Sequence, residues 1–378
     1  MNIRTLVLFS AISMIIGLQA GPAIAQTEPV HVTVAGQDLS LRLGMTIQPR
    51  FTYAYESNSG DDLERLGFGI RRFRFRTYAN IGEDFRIFSQ WEGSGNSVAV
   101  LDLRGEYKLN NRTWLRFGRF VGAHPRVMAI TLHSEFDIID RPGIAAVWAR
   151  NTIGADARDY GAEILYRNPQ IEYRVFLANG YNQNNFRNEV NNASITGNTA
   201  DKGMAISTML RFFPAEVDNS EIGGYVGVNR SKNPLTISSL APGVGRGFVS
   251  SSAHAYWGVF SGDQPVRVKL DFVSVHYDEV SVPGGGDFQQ NFYGGAITGA
   301  YLLRKDTEVL AQYENYNENQ DNASSHTQVF TAGATYSFSA ARGEGFMGRK
   351  VTLGYSMKHT RGLENPSHLI VLQFQLLI

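Results

Sequence analysis

Cysteine is absent from the 378 residues, which excludes disulfides, thiol catalysis and cysteine-based zinc sites and fits an exported chain that does without stapling. Long apolar runs are missing as well. Residues 6–16, broken by Ser10 and Ser13, fall short of the roughly 20 residues that span a bilayer as a helix, and no later segment offers such a run. Neither sign of charge is in surplus: 35 basic residues meet 35 acidic ones, so there is no bulk electrostatic case for binding nucleic acid. Lysine is scarce, and arginine supplies most of the positive charge. A guanidinium keeps its charge when partly desolvated and grips oxyanions bidentately, so this bias suits the wall of a pore.

Catalytic and metal motifs are also lacking. There is no G-x-S-x-G elbow, and His133-Ser134-Glu135 brings the residue types of a triad together only as sequence neighbours. The eight histidines contain no H-E-x-x-H or other close metal spacing, so His124 and His254 read as isolated surface or pore-wall residues. Residues 318–322 lack the spacing of a calcium loop, and the glycine clusters at 243–247 and 284–286 lack the lysine and helix of a phosphate loop. The expectation is a non-enzyme with no cofactor and no metal.

What the chain does have is alternation. In FGIRRFRFRTYANI, residues 68–81, Arg72, Arg74 and Arg76 alternate with Phe73, Phe75 and Thr77. A period of two is that of a strand, with guanidinium groups on one face and rings on the other. A soluble core does not accept such a charged face, whereas a barrel with rings in lipid and arginines in its water-filled lumen satisfies both. The split recurs. Phe85, Ile87 and Trp91 oppose Arg86, Gln90 and Glu92; Leu101, Leu103 and Tyr107 oppose Asp102, Arg104, Glu106 and Lys108; Val266, Val268, Leu270 and Phe272 oppose Arg267, Lys269 and Asp271.

Strands are expected at 41–56, 68–80, 84–92, 98–109, 112–120, 158–167, 170–181, 203–213, 221–230, 248–260, 265–278, 289–303, 307–317, 326–339, 350–361 and 368–378. The fold class is therefore all-β, a transmembrane antiparallel β-barrel of about 16 strands. Tight breaks such as Gly82-Glu83, Asn110-Asn111 and Gly262-Asp263 interleave with long ones such as 182–202 and 231–247, the short-turn, long-loop parity of outer-membrane barrels. Residues 1–25 read as a cleaved signal peptide, with Arg4 in front of the apolar run and Ala23-Ile24-Ala25 as the cleavage pattern. Residues 26–38 are then a periplasmic extension and 39–378 the barrel. The last residue, Ile378, departs from the aromatic end usual in barrel-assembly signals.

One stretch does not alternate. Residues 121–157 carry His124, Arg126, Glu135, Asp137, Asp140, Arg141 and Arg150 among apolar Val127, Met128, Ile138, Ile139 and Trp148. Long insertions are usually functional, and this one is too apolar to wave in water. It is expected to fold into the lumen as a third loop, dock on the inner wall and narrow the pore. Here a resemblance becomes specific: Gly118-Arg119-Phe120, residues 136–142 (FDIIDRP) and Arg158-Asp159-Tyr160-Gly161, with residues 68–74 (FGIRRFR), resemble the phosphate-selective porin O and P family. The resemblance is best over residues 67–166. It implies a sixteen-stranded, trimeric outer-membrane barrel that passes small anionic solutes by diffusion.

The expected pore lining is a basic stripe of Arg72, Arg74, Arg76, Arg86, Arg104 and Arg116, extended by Lys108 and Lys269. The expected constriction carries Arg126, Glu135, Asp137, Asp140, Arg141 and Arg150. Glu92, Asp102, Glu106 and Asp271 share faces with the bases and turn the stripe into one side of a mixed field. The function expected is a porin in the bacterial outer membrane, a water-filled channel for passive diffusion of small hydrophilic solutes with a preference for anions such as phosphate. Its partners would be ions and small solutes, membrane lipid and two further copies of the chain. A non-selective porin, a plugged barrel or adhesin, and a secreted all-β glycan-binding protein remain alternatives.

Overall fold

The computed structural model describes residues 30–34, 37–57, 62–129, 137–153, 156–180, 204–230, 247–262, 264–278, 280–281, 287–288, 291–320 and 322–378. Sixteen strands make the barrel: β1 Gln37–Glu56, β2 Leu63–Ile81, β3 Phe85–Glu92, β4 Ala99–Asn110, β5 Thr113–Phe120, β6 Asp159–Arg167, β7 Ile171–Ala178 and β8 Ala205–Phe212. There follow β9 Ser220–Asn229, β10 Phe248–Trp257, β11 Val266–Tyr277, β12 Asn291–Arg304, β13 Thr307–Asn317, β14 His326–Ser337, β15 Arg349–Thr360 and β16 Ser367–Leu377. Each pairs antiparallel with the next, and β16 closes the ring on β1, with Leu372 opposite Phe51 and Gln373 opposite Arg50. Closure leaves no strand edge unpaired, which is what a sheet in hydrocarbon requires. A further short strand, Val30–Val34, folds back on the start of β1. Among the described residues no helix is long and apolar enough to cross a membrane.

The two faces of the ring differ as the alternation demands. Outside lie Leu66, Phe68, Ile70, Phe73 and Phe75 of β2 and, farther round, Ile164, Leu210, Leu270, Ile297 and Leu353, all exposed, Phe68 by 85%. Leaving each such side chain in water forgoes about 1.5–3 kcal/mol, so this face is built for lipid. Inside, Arg72, Arg267 and Glu221 are buried.

All sixteen expected strands are present, with shifted ends that have local causes. β2 begins at Leu63 rather than 68, because Glu56 pairs with Leu63 and Thr52 with Gly67 across a stretch whose Glu64 and Arg65 read as loop. β10 stops at Trp257 rather than 260, at Gly258, whose φ of +80° lies in the left-handed region where a side chain is strained. Within β2, Gln48 pairs with Arg72 and Pro49 with Ile70, leaving Arg71 as the extra residue of a β-bulge. Proline has no N–H for the ladder, so the irregularity sits where the pairing lacks a donor.

The parity of the connections is not strict. The segment from β14 to β15 is not a tight turn but carries a short helix, Phe338–Ala341, and sends Phe346 to be buried against Gly262. The connection holding Gly262-Asp263, expected to be tight, runs from Gly258 to Pro265 and has a buried Ser261.

Candidate functional site

Among the described residues of the segment between β5 and β6 are two helices, α1 (Arg126–Ala129) and α2 (Gly143–Asn151). Spacing along α2 puts Ile144, Val147 and Trp148 on its buried face and leaves Ala146 and Arg150 exposed. The buried face packs with Phe176 of β7, Tyr225 of β9, Phe248 of β10, Val273 and Val275 of β11 and Phe292 of β12. Trp148 Nε1 donates to Ser250 Oγ at 2.8 Å, and the Ile144 N–H, one of the donors a helix start leaves unpaired, reaches Glu314 Oε2 at 3.0 Å. His124 is buried among the rings of Trp148, Phe176 and Tyr225. It is thus a core residue of the insert, not the surface or pore-wall residue expected, and burial lowers its pKa to about 3.

Charged side chains of the insert reach strands far apart around the ring. Arg126 pairs with Glu221 of β9. Asp137 meets Arg267 at 2.8 Å and Lys269 at 2.7 Å on β11, and accepts from Ser261 at 3.4 Å. Ile138 and Ile139 lie against Gly333 of β14 and Gly354 of β15, which face each other in the sheet and leave a notch. Asp140 is held by three arginines, Arg50 of β1 at 3.4 Å and Arg71 and Arg72 of β2 at 3.0 and 2.9 Å. Arg150 pairs with Glu318 at 2.7 Å. Glu135, with His133 and Ser134, lies outside the described residues.

A Cβ on Gly354 would collide with Ile139 Cδ1. Gly354→Val should therefore loosen the insert without unpairing β15, at a cost of about 1–3 kcal/mol. The readout is faster proteolysis within residues 121–157 while the barrel stays heat-modifiable on gels.

The arginines expected to form a basic stripe are almost wholly paired. Arg72 donates to Gln48 at 3.0 Å as well as to Asp140, Arg74 lies 2.7 Å from Glu92, and Arg76 donates to Thr46. Arg104 lies 2.7 Å from Glu106, and Arg116 lies 3.2 Å from Glu106 and 2.9 Å from Glu163. Arg86 stacks 4.1 Å above the Trp114 ring, and Lys108 shares the inner face of β4 with Asp102, Arg104 and Glu106. Lys269 does not extend this stripe. It stands on β11, across the ring from β2, where it anchors Asp137. A period of two assigns a residue to a face but says nothing about where its strand falls on the circumference.

Several participants were not singled out from the sequence. From Arg116 an alternating ladder continues over Glu163, Arg174, Glu172, Arg211 and Glu221 to Arg126, with Arg174 2.9 Å and Arg211 3.1 Å from Glu172. Arg158 donates to Asp102 at 2.9 and 3.0 Å. The doubled arginine at 71–72 was the available signal for the bulge, and Glu172 and Arg174 stand two apart as a strand face requires. Removing one member of a buried pair strands its partner, which costs about 3–5 kcal/mol. Glu221→Gln, which strips both Arg126 and Arg211, should lower the unfolding temperature in detergent; an unchanged temperature would count against the ladder as a structural element.

Burial opposes ionisation of Asp137 and Asp140, but Lys269 and Arg267 beside the first, and Arg71 and Arg72 beside the second, outweigh it and hold both carboxyls below the usual carboxylate range. Depressed carboxyl pKa values stabilise the folded form fully above the unfolded value of about 4, and that contribution is lost only as pH falls further. These two attachments of the insert should accordingly hold from pH 8 to pH 5, with the rate of proteolysis within residues 121–157 unchanged over that range. Arg141 has Arg72, Arg158 and Arg74 around it; burial, followed by these charges, lowers its pKa to about 9, which leaves it cationic at neutral pH. A cavity of about 640 Å³ opens between the insert, at Ile139 and Arg141, and Glu314, Thr331, Lys358 and Leu369 of the wall.

No protein-family model matches the chain and no curated protein sequence matches it, so the resemblance to the phosphate-selective porins rests on its motifs alone. Solved structures do match in fold. The outer membrane channel DcaP of Acinetobacter baumannii has 14% identity, covering 90% of this chain and 97% of that one, with a TM-score of 0.60. OmpF of Salmonella typhi, in complex with daunomycin, has 12% identity, 92% and 100% coverage and a TM-score of 0.59. The trimer form of OmpT, an outer membrane protein of Vibrio cholerae, has 10% identity, 90% and 99% coverage and a TM-score of 0.56. At such identities the likeness carries the fold, and that fold is one shared with outer-membrane channels.

Proposed function

We propose that the chain is an outer-membrane porin, a passive channel for small hydrophilic solutes with a preference for anions. The observation that carries the anion preference is an arginine surplus at the tip of the insert. Arg50, Arg71, Arg72, Arg74, Arg141 and Arg158 gather around Asp140, Glu92 and Asp102. Fixed cations in a narrow lumen raise the local concentration of anions, and permeation needs several weak sites rather than one deep one. Because carboxylates already occupy these guanidinium groups, phosphate passes as one anion among others. The insert lies across the lumen and constricts it, since no outer position lets one segment touch β2, β9, β11 and β15 of a closed ring.

In this reading residues 1–25 direct export and are cleaved, the long connections face outward, and the assembled channel is a homotrimer. Purified protein added to a planar bilayer should produce stepwise, ohmic conductance increments. A plugged barrel or an adhesin would insert without current, and a soluble glycan-binding protein would not insert.

A further inference from the structure

We propose that the tip of the insert, residues 137–141, is a gate: seated on the wall it shuts the lumen, and solutes pass only while it is lifted. The gate rests on the diffusion reading above and adds a closed state to it.

The observation that carries it is an apolar band, one residue deep, on the inner wall. Ala300 of β12, Leu310 of β13, Gly333 of β14, Gly354 of β15 and Val371 of β16 stand opposite one another, strand to strand, in a single row. The next positions on the same strand faces are polar: Glu308 and Gln312 flank Leu310, Thr331 and Thr335 flank Gly333, and Thr352 and Ser356 flank Gly354. A wall that only lines water has no use for such a band. Ile138 and Ile139 sit on it, and with Ala300, Leu310 and Val371 they form one buried cluster in which Val371 is wholly covered. The glycines make the seat: a Cβ on Gly333 would lie 3.3 Å from Ile138 Cγ2, and one on Gly354 3.2 Å from Ile139 Cγ1.

Charged contacts extend the seal at both ends. Asp137 holds Arg267 and Lys269 of β11, and Asp140 holds Arg50 of β1 and Arg71 and Arg72 of β2, so the tip bridges the wall from β11 to β2. The rest of the insert packs against β7 to β12. Ile138, Ile139, Asp140 and Arg141 thereby bound the cavity of about 640 Å³. An apolar closure of this kind stops ions by dewetting.

The two ends are unequal, which makes one a hinge and the other a latch. The side chains of Asp137 and Arg267 are 17% and 1% exposed, whereas those of Asp140, Arg71 and Arg50 are 36%, 39% and 26% exposed. Exposed ion pairs are weak and screened by salt, so the tip comes away at Asp140 and turns about Asp137. Lifting uncovers the two isoleucines and their band, which draws the tip back.

The chain has no cysteine, so Ile139→Cys/Gly354→Cys introduces a single pair, and the change at 139 removes the Cδ1 atom that a side chain at 354 would strike. Ile138→Cys/Gly333→Cys takes its place if the first pair does not assemble. The purified protein is recorded in a planar bilayer in potassium chloride, oxidised with copper phenanthroline and then reduced with dithiothreitol. Mass spectrometry verifies the cross-link, and heat-modifiable migration on gels verifies the folded barrel. The oxidised form should be silent, and reduction should raise the current by at least about tenfold. Asp140→Asn, which frees the latch, should lengthen the share of time spent conducting. A cross-linked protein that conducts as well as the reduced one overturns the gate and leaves the diffusion reading standing. Absence of current from every folded variant, the reduced pairs and Asp140→Asn included, overturns the diffusion reading and the gate with it.

Discussion

Replacing residues 127–150 with a short glycine-serine connector should raise single-channel conductance by at least about twofold, because current through a pore is limited by its narrowest cross-section. The replaced segment includes the bulk that packs on the wall, with Trp148 and Ile144 wholly buried against strands β7 to β12. The barrel should survive the change. Its ladder is closed without the insert, and the side chains the replaced segment leaves behind, Arg267, Lys269 and Arg72, would face water rather than an apolar core. Unchanged conductance in a folded variant would mean that the insert does not set the constriction.

The second large effect concerns selectivity. Changing Arg72, Arg74 and Arg141 together to glutamine should lower the anion-to-cation permeability ratio several-fold. A unit charge about 7 Å from a permeating ion in water contributes roughly 0.6 kcal/mol, a factor of two to three, before screening over a Debye length of about 10 Å. Asp140→Asn should shift the ratio the other way, since it removes the carboxylate that Arg50, Arg71 and Arg72 share. Opposite signs from the two variants would separate a field effect from a general loosening of the insert, which would move both in one direction.

The barrel was legible because lipid outside and water inside impose a period of two on every strand, and Phe73 against Arg72 or Leu270 against Lys269 reports it directly. The apolar character of the insert likewise foretold that it packs against something. What it packs against was not legible. That Asp137 reaches β11 and Asp140 reaches β2 depends on closure of the ring, which no local pattern encodes. The same gap placed Lys269 with the wrong neighbours. Arg71 escaped notice as a site residue because a bulge turns two consecutive residues inward, and strict alternation would send one of them to lipid. That acids share faces with the stripe was legible, but only the register brings Glu92 to Arg74 and Glu163 to Arg116.

The central claim, a diffusion channel whose field is set by arginines at the insert, is tested most directly by the zero-current potential of the purified protein in a planar bilayer under a tenfold potassium chloride gradient. The potential should lie on the chloride side of zero and move toward zero in the Arg72, Arg74 and Arg141 variant. A potential on the potassium side, or one that the triple substitution leaves unchanged, would contradict the account.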